Sequence, residues 1–205
     1  KANFAGIGRH RAAACANTNK GYMGFGHINS VVNIAFDDVW EYDPATDSWT
    51  QKADFSGGKR YHNLFFSVKD KVYCGLGRDE SSTYDDFWEY DPATNIWTQL
   101  NDYPGGERMG ILSFIIEDVA YIGMGIGNGN DHAFYKYDPD NDSWTALSDF
   151  PGASRNTGIS FAILQSCWMC PTTSLKAPLI QPPSHPPSLA STPVATPALW
   201  TLTIG

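Results

Sequence analysis

Basic residues are scarce in this sequence: 14 Lys and Arg stand against 22 Asp and Glu, giving a formal net charge of -8 and an isoelectric point near 4.9. No polybasic run offsets that balance. Such a chain repels phosphate backbones and anionic lipid surfaces, so nucleic acid is not expected as a partner. Long apolar runs are missing as well. Stretches such as "LSFII" at 112–116 fall far below the roughly 18 residues of a membrane helix, and no membrane insertion is expected. Four cysteines are too few for a disulfide scaffold, and "CWMC" at 167–170 lacks the second ligand pair or thioredoxin-like context that would give it chemistry. His10, His27, His62 and His132 show no metal-ligand spacing, and "GNGND" at 127–131 lacks the regular oxygen spacing of a calcium loop. No paired nucleophile and base stands out. Neither a cofactor nor a catalytic residue is expected. No signal peptide is visible, and since the chain opens on Lys1 rather than methionine, its compartment stays open.

What the sequence has in quantity is itself. "VWEYDPATDSW" (39–49) returns as "FWEYDPATNIW" (87–97) and, more loosely, as "FYKYDPDNDSW" (134–144). Arg9, Arg60, Arg108 and Arg155 step by 51, 48 and 47 residues, and the first three each precede a tyrosine by 13: Tyr22, Tyr73 and Tyr121. Each tyrosine opens a Tyr-x-Gly-x-Gly. Short alternating runs separated by turn signals at this period predict four antiparallel strands per unit, as in "RYHNLFFSV", "KVYCGLG", "DFWEYDP" and "IWTQLN". Asp-Pro suits a tight turn, because proline presets φ there. One such sheet cannot cover both its faces, so neighbouring units must stack and the repeated aromatics are expected to pack between them. Cys15 and Cys74 fall at repeat positions held elsewhere by Phe66 and Phe114 or by Met23 and Ile122, which makes them buried apolar fillers.

These residues resemble kelch repeats, the blades of the galactose-oxidase type of β-propeller: a glycine pair ending the second strand, a tyrosine before Asp-Pro in the third, a tryptophan in the fourth. Gly-x-Gly replaces the adjacent glycines of many kelch repeats, a variant similar to that of bacterial, often exported, kelch proteins. The resemblance covers 1 to about 165 and implies an all-β fold of about three four-stranded blades plus part of a fourth. It also implies a secreted, periplasmic or cell-surface setting. Function follows less directly, because propellers host unrelated activities. The resemblance leads to a non-catalytic module that binds a protein or glycan; the alternative is an enzyme on the same blades, a sugar mutarotase or a copper radical oxidase.

Two boundaries complete the picture. "KANFAGIGRH" aligns with "QKADFSGGKR", so the chain opens at the end of a blade's fourth strand. Residues 166–205 carry eight prolines, no acid and no further Tyr-x-Gly-x-Gly. They read either as an extended Pro/Ser/Thr-rich tail that cannot bury a core or as an out-of-frame translation of the fourth blade. Three blades and a strand do not close a ring, so self-association through the incomplete propeller edges is a further expectation.

All variation in period lies between the second glycine and the third strand: 14 residues from Gly26 to Trp40, 11 from Gly77 to Trp88, 10 from Gly125 to Tyr135. Scaffolds carry function in such loops. The segments 27–37, 78–86 and 126–133 supply the candidate ligand-binding residues His27, Arg78, Asp79, Tyr84, Asn130, Asp131 and His132. Arg60, Arg108 and Arg155 join them, since guanidinium groups opening the inner strands could fork onto a carboxylate or sulfate at the channel mouth. The competing expectation is structural: each arginine pairs with a repeated acid such as Asp38 or Asp86.

Overall fold

A computed structural model describes residues 1–29, 33–158, 160 and 162, which fall within one compact unit spanning Lys1–Gln165. The expectations for 166–205, including the "CWMC" pair, lie outside the described residues. Within them the fold is all-β. The strands are β1 (Ala13–Ala16), β2 (Gly21–Gly24), β3 (His27–Asn29), β4 (Asn33–Ala35), β5 (Val39–Asp43), β6 (Ser48–Gln51), β7 (Leu64–Val68), β8 (Lys71–Gly75), β9 (Phe87–Asp91), β10 (Ile96–Gln99), β11 (Arg108–Met109), β12 (Leu112–Ile116), β13 (Val119–Gly123), β14 (Ile126–Gly127), β15 (Phe134–Asp138) and β16 (Ser143–Ala146). They form three four-stranded antiparallel sheets, β1-β2-β5-β6, β7-β8-β9-β10 and β12-β13-β15-β16, which are blades of a β-propeller.

Register repeats as strictly as sequence. Tyr22 lies between Cys15 and Glu41, Tyr73 between Phe66 and Glu89, and Tyr121 between Phe114 and Lys136. One difference from the sequence concerns the first strand, which starts four residues late, at Leu64 rather than Arg60. The cause is local. His62 takes a left-handed φ of 55°, as do Arg11 at 56° and Gly110 at 67°, and this bend detaches the arginine from the blade. Arg60 and Tyr61 pair instead with Phe36 and Arg78 in the loops.

The Gly-x-Gly motif has a related role. Phe25, Leu76 and Met124, the residues between the glycines, are left-handed and fully buried. The second glycine, also left-handed, donates its N–H to the next blade's arginine carbonyl: Gly26 to Arg60 and Gly77 to Arg108 at 2.8 Å, Gly125 to Arg155 at 3.2 Å. The spacing between the glycines thus inserts a core side chain where adjacent glycines could not.

Blade meets blade through aromatics. Phe25 packs edge-on against Phe65 (5.1 Å) and Phe55 (5.5 Å) in the first seam, and Phe87 against Tyr137 (4.8 Å) and Trp144 (5.0 Å) in the second. Cys74 is buried in the first of these cores, and half-buried Cys15 packs against it. On the third blade, Phe114, Tyr121 and Phe134 hold the positions of the buried Phe66, Tyr73 and Phe87. There they are only half-buried and line a cleft of about 690 Å³.

A polar latch sets the blade spacing. In each Tyr-Asp-Pro turn the residue before the fourth strand is left-handed: Asp47 (51°), Asn95 (60°) and Asp142 (43°). Its side chain accepts the hydroxyl of its own blade's tyrosine, Tyr42 at 2.6 Å, Tyr90 at 2.8 Å and Tyr137 at 2.9 Å. It also accepts a backbone N–H from the segment ahead of the next-lower blade seam: Ala2 at 2.9 Å, Ala53 at 2.9 Å and Asn101 at 3.0 Å. Trp97 and Trp144 then donate Nε1–H to the carbonyls of Ala53 (3.2 Å) and Asn101 (3.0 Å). Asn95→Ala removes two acceptor contacts and leaves a Cβ residue without local compensation at positive φ, so a loss of about 2–4 kcal/mol is expected in urea unfolding. Asn95→Gly, which keeps the turn but not the acceptor, should lose about half as much; equal losses would show that the lost acceptor alone sets the cost, and no loss in Asn95→Gly would show that the backbone, not the latch, matters there.

Candidate functional site

The connections that vary in length gather on the face where each blade hands over to the next, since β2 and β6 both end there, as do β8 and β10. The first loop is more regular than its sequence suggests. β3 pairs with β4 in a hairpin that aligns His27 with Ala35 and Asn29 with Asn33. In the second loop, Asp79 Oδ1 accepts the N–H groups of Ser81 and Ser82 at 2.7 Å each, and Oδ2 accepts the Tyr84 hydroxyl at 2.8 Å. Asp79 and Tyr84 therefore satisfy each other and rigidify their loop. In the third, Asn130 donates to Asp149 (2.7 Å) and accepts the His132 N–H (3.0 Å), while His132 Nδ1 lies 3.2 Å from the Phe150 carbonyl. Asp131 contributes a buried Oδ1 with no partner among the described residues.

Three of the four repeated arginines bury their side chains in the wall, that of Arg9 at 1% exposure. Arg60 is 1% exposed and Arg108 fully buried, whereas Arg155 is exposed, its Nε donating to the Ala153 carbonyl. The acids anticipated for pairing are present in the first two blades. Arg9 grips Asp38 with both terminal nitrogens, one contact measuring 2.8 Å, and Arg60 meets Asp86 at 2.7 Å. Burial acts to raise the Asp38 carboxyl, but hydrogen bonds from Arg9 and Trp40 outweigh it and hold the group below the usual carboxylate range. For Asp86 burial wins and its carboxyl is raised, with Oδ1 lacking a partner among the described residues.

Arg108 has no acid to meet, because Ala133 stands where Asp38 and Asp86 do. Its guanidinium is wrapped by carbonyls instead, those of Gly105, Met124 (3.1 Å), Asn128 (3.2 Å) and Asn130 (3.4 Å). With the Gly106 carbonyl, which accepts from Nε at 3.4 Å, five dipoles surround the charge, and they tie the third loop around the arginine.

The structure also joins residues that the repeat kept apart. His10 pairs with His27 and Tyr61 with Arg78 in short bridges, the counterparts of the β11–β14 pairing of Met109 with Ile126. His10 and His27 lie ring to ring at 4.1 Å, and His27 stacks on Tyr61 at 4.2 Å with planes 12° apart. Arg11 and Arg78 approach the Tyr61 ring to 6.0 and 5.7 Å, within cation–π reach. Of this group the sequence singled out only His27 and Arg78. His10 and Tyr61 share one repeat position and Arg11 and His62 another, and the available signal was that these two positions read Met109 and Gly110 in the third blade. Among the described residues no three His, Cys, Asp or Glu side chains are grouped to hold a metal ion.

Truncating Asp86 to alanine would strand the buried Arg60 charge, so a loss of about 3–5 kcal/mol is expected in denaturant unfolding; a loss below about 1 kcal/mol would show that carbonyls can replace the acid there too. Asp79 gives a pH prediction. Burial acts to raise its carboxyl, yet the Ser81 and Ser82 N–H groups and the Tyr84 hydroxyl bring it down to about 2 from an ordinary 3.8. With the folded value depressed, the loop's stabilisation is complete above about pH 4 and lost as pH falls toward 2. The Ser81 and Ser82 amide resonances should titrate with a midpoint near the lower figure, and an ordinary carboxylate midpoint would contradict the held geometry.

No protein-family model matches the sequence, and no curated protein matches it. Among solved structures, that of YjhT resembles the fold with a TM-score of 0.61 at 18% sequence identity, over 73% of this chain and 54% of that one. The chain thus spans about half the length of that protein, and the likeness is one of fold: blades of a β-propeller.

Proposed function

We propose that these blades belong to a kelch-type propeller acting as a non-catalytic binding module, which recognises a protein or carbohydrate through the face carrying loops 27–37, 78–86 and 126–133. The observation that carries this reading is that the described parts of all three loops, though unlike in length and sequence, are each held by their own hydrogen bonds on one face. A surface fixed before its partner arrives loses less conformational entropy on binding. Exposed Glu80, Ile126 and Asn130 offer charged, apolar and amide contacts side by side with that fixed backbone, the mixture that polar protein and sugar surfaces require.

The chain, screened against immobilised glycans and peptides, is expected to show a saturable ligand. Glu80→Lys and Ile126→Lys should each weaken that ligand several-fold, while Thr46→Lys, in the turn between β5 and β6 at the opposite end of the blade, should not. Binding that ignores the first two variants but falls with the third would overturn the assignment of the face. Absence of any ligand from both panels would overturn the binding role.

A further inference from the structure

On the loop face of the first two blades stand two arginines without an acidic partner among the described residues, in a protein whose net charge is -8. Arg11 and Arg78 make no ion pair among the described residues, although eight ion pairs occur elsewhere. Neither guanidinium is saturated. Arg11 Nη1 lies 2.9 Å from His27 Nε2, and Arg78 Nε donates to the Asp79 carbonyl at 3.0 Å. An arginine carries five N–H donors, so among the described residues most have no partner.

His27 explains how Arg11 is held. Only a neutral imidazole can accept from a guanidinium, so Nε2 is the bare nitrogen and Nδ1 carries the proton, facing Asn33 Oδ1 at 3.3 Å. At 1% exposure the ring is kept in that state: burial lowers its pKa, and His10 and Arg11 lower it further. The buried histidine is thus a fixed acceptor that aims Arg11. His62 lies beside Arg11 on the wall of a cleft of about 370 Å³ lined by the inner strands, a volume within the ~300–1,000 Å³ of small-ligand pockets.

Backbone strain coincides with these residues. Arg11 (56°) and His62 (55°) hold a left-handed conformation at the repeat position that the third blade fills with Gly110 (67°). A side chain there costs roughly 1–2 kcal/mol relative to an ordinary φ, and such strain concentrates at ligand sites. The third blade presents Met109, Gly110 and Ile126 instead, so the charge is confined to the first two.

We infer that Arg11, His62 and Arg78 receive an anionic oxygen group of the partner, a carboxylate or sulfate, at the mouth of the inner-strand cleft, with exposed His10 as an added donor. This rests on the loop-face reading above and narrows it. Guanidinium forks match the planar or tetrahedral oxygens of either group. The acidic surface around them disfavours a polyanion, so the partner carries isolated acid groups on a largely neutral framework.

Protonation follows from the same contacts. Burial lowers the His62 pKa first, with Arg11, His27, Arg78 and His10 adding to the effect. An anion offsets the positive charge of Arg11 and Arg78, so its binding raises the His62 pKa and takes up a proton. Glu80, which bears on His27 and accepts the Ala35 N–H at 2.7 Å, is an acid facing the group. Affinity therefore rises as pH falls through the histidine range.

The test uses the full chain, sodium sulfate and sodium acetate against sodium chloride at equal ionic strength, with the histidine imidazoles followed by NMR. Saturable shifts of His10 and His62 are expected with sulfate or acetate, several-fold tighter at pH 6 than at pH 8, and the tighter of the two anions identifies the group. Arg78→Gln should weaken binding about tenfold. Arg11→Gly relieves the left-handed strain, so it should leave stability unchanged or higher while weakening binding by a similar factor, which separates recognition from folding. Equal responses to chloride, or binding untouched by both variants, would overturn the inference. A glycan or peptide ligand that survives both variants but is lost in Glu80→Lys would overturn the anion pocket alone and leave the loop-face module standing.

Discussion

The left-handed residue that closes each Tyr-Asp-Pro turn governs this structure. A single side chain, Asp47, Asn95 or Asp142, accepts from its own blade's tyrosine and from the backbone of the segment before the neighbouring seam. Position, orientation and spacing of adjacent sheets are therefore set at one atom group. Asp and Asn are the residues that tolerate this φ while offering an acceptor, because their short side chains bond locally. Once the latch holds, the tyrosine and tryptophan beside it are delivered edge-on to the next sheet's aromatics, and each such pair adds about 0.5–1.5 kcal/mol beyond burial. An eleven-residue motif repeats because latch, turn and aromatic knob cannot be separated in sequence.

The same logic explains why repeated polar residues are poor guides to ligands. Arg9 and Arg60 recur because each fills a buried socket whose acid, Asp38 or Asp86, recurs with it. The third blade shows what the socket requires. With Ala133 in place of the acid, Arg108 stays and five carbonyls close on it, so the guanidinium is needed more than its partner. A guanidinium has five donors in one plane and can gather carbonyls from several turns, whereas a carboxylate could not bond to any of them. Arginine is thus the peg around which the 105–106 turn and the third loop are arranged.

Much of this was legible in the sequence, and for a physical reason. Period, strand number and the interblade role of the aromatics follow from side-chain alternation and turn chemistry, which act locally. The Arg–Asp pairing was legible too, since both partners repeat. What stayed hidden depends on backbone that departs from its local preference. The left-handed bend at Arg11 and His62 moved the start of the first strand from Arg60 to Leu64, and neither residue type announces such a φ. The β3–β4 hairpin was read as a loop, because "HINSVVNIA" has no turn signal of its own. The stacking of His10, His27 and Tyr61 was out of reach, as His27 comes from a different repeat position than His10 and Tyr61 and meets them only where a loop bridges an interblade connection.

A wall built from identical contacts cannot by itself distinguish one ligand from another, because every blade would present the same groups. Selectivity in such a molecule has to come from positions where the contacts are equivalent but the side chains are not. The short bridges His10–His27, Tyr61–Arg78 and Met109–Ile126 are such positions: their backbone pairing is common to all three blades, and their side chains are free to differ. They also lie where the loops are anchored, so a substitution there changes the floor of the face without disturbing the latch. Repetition thus protects the fold, and the charge difference between blades concentrates at the places that the latch leaves unconstrained.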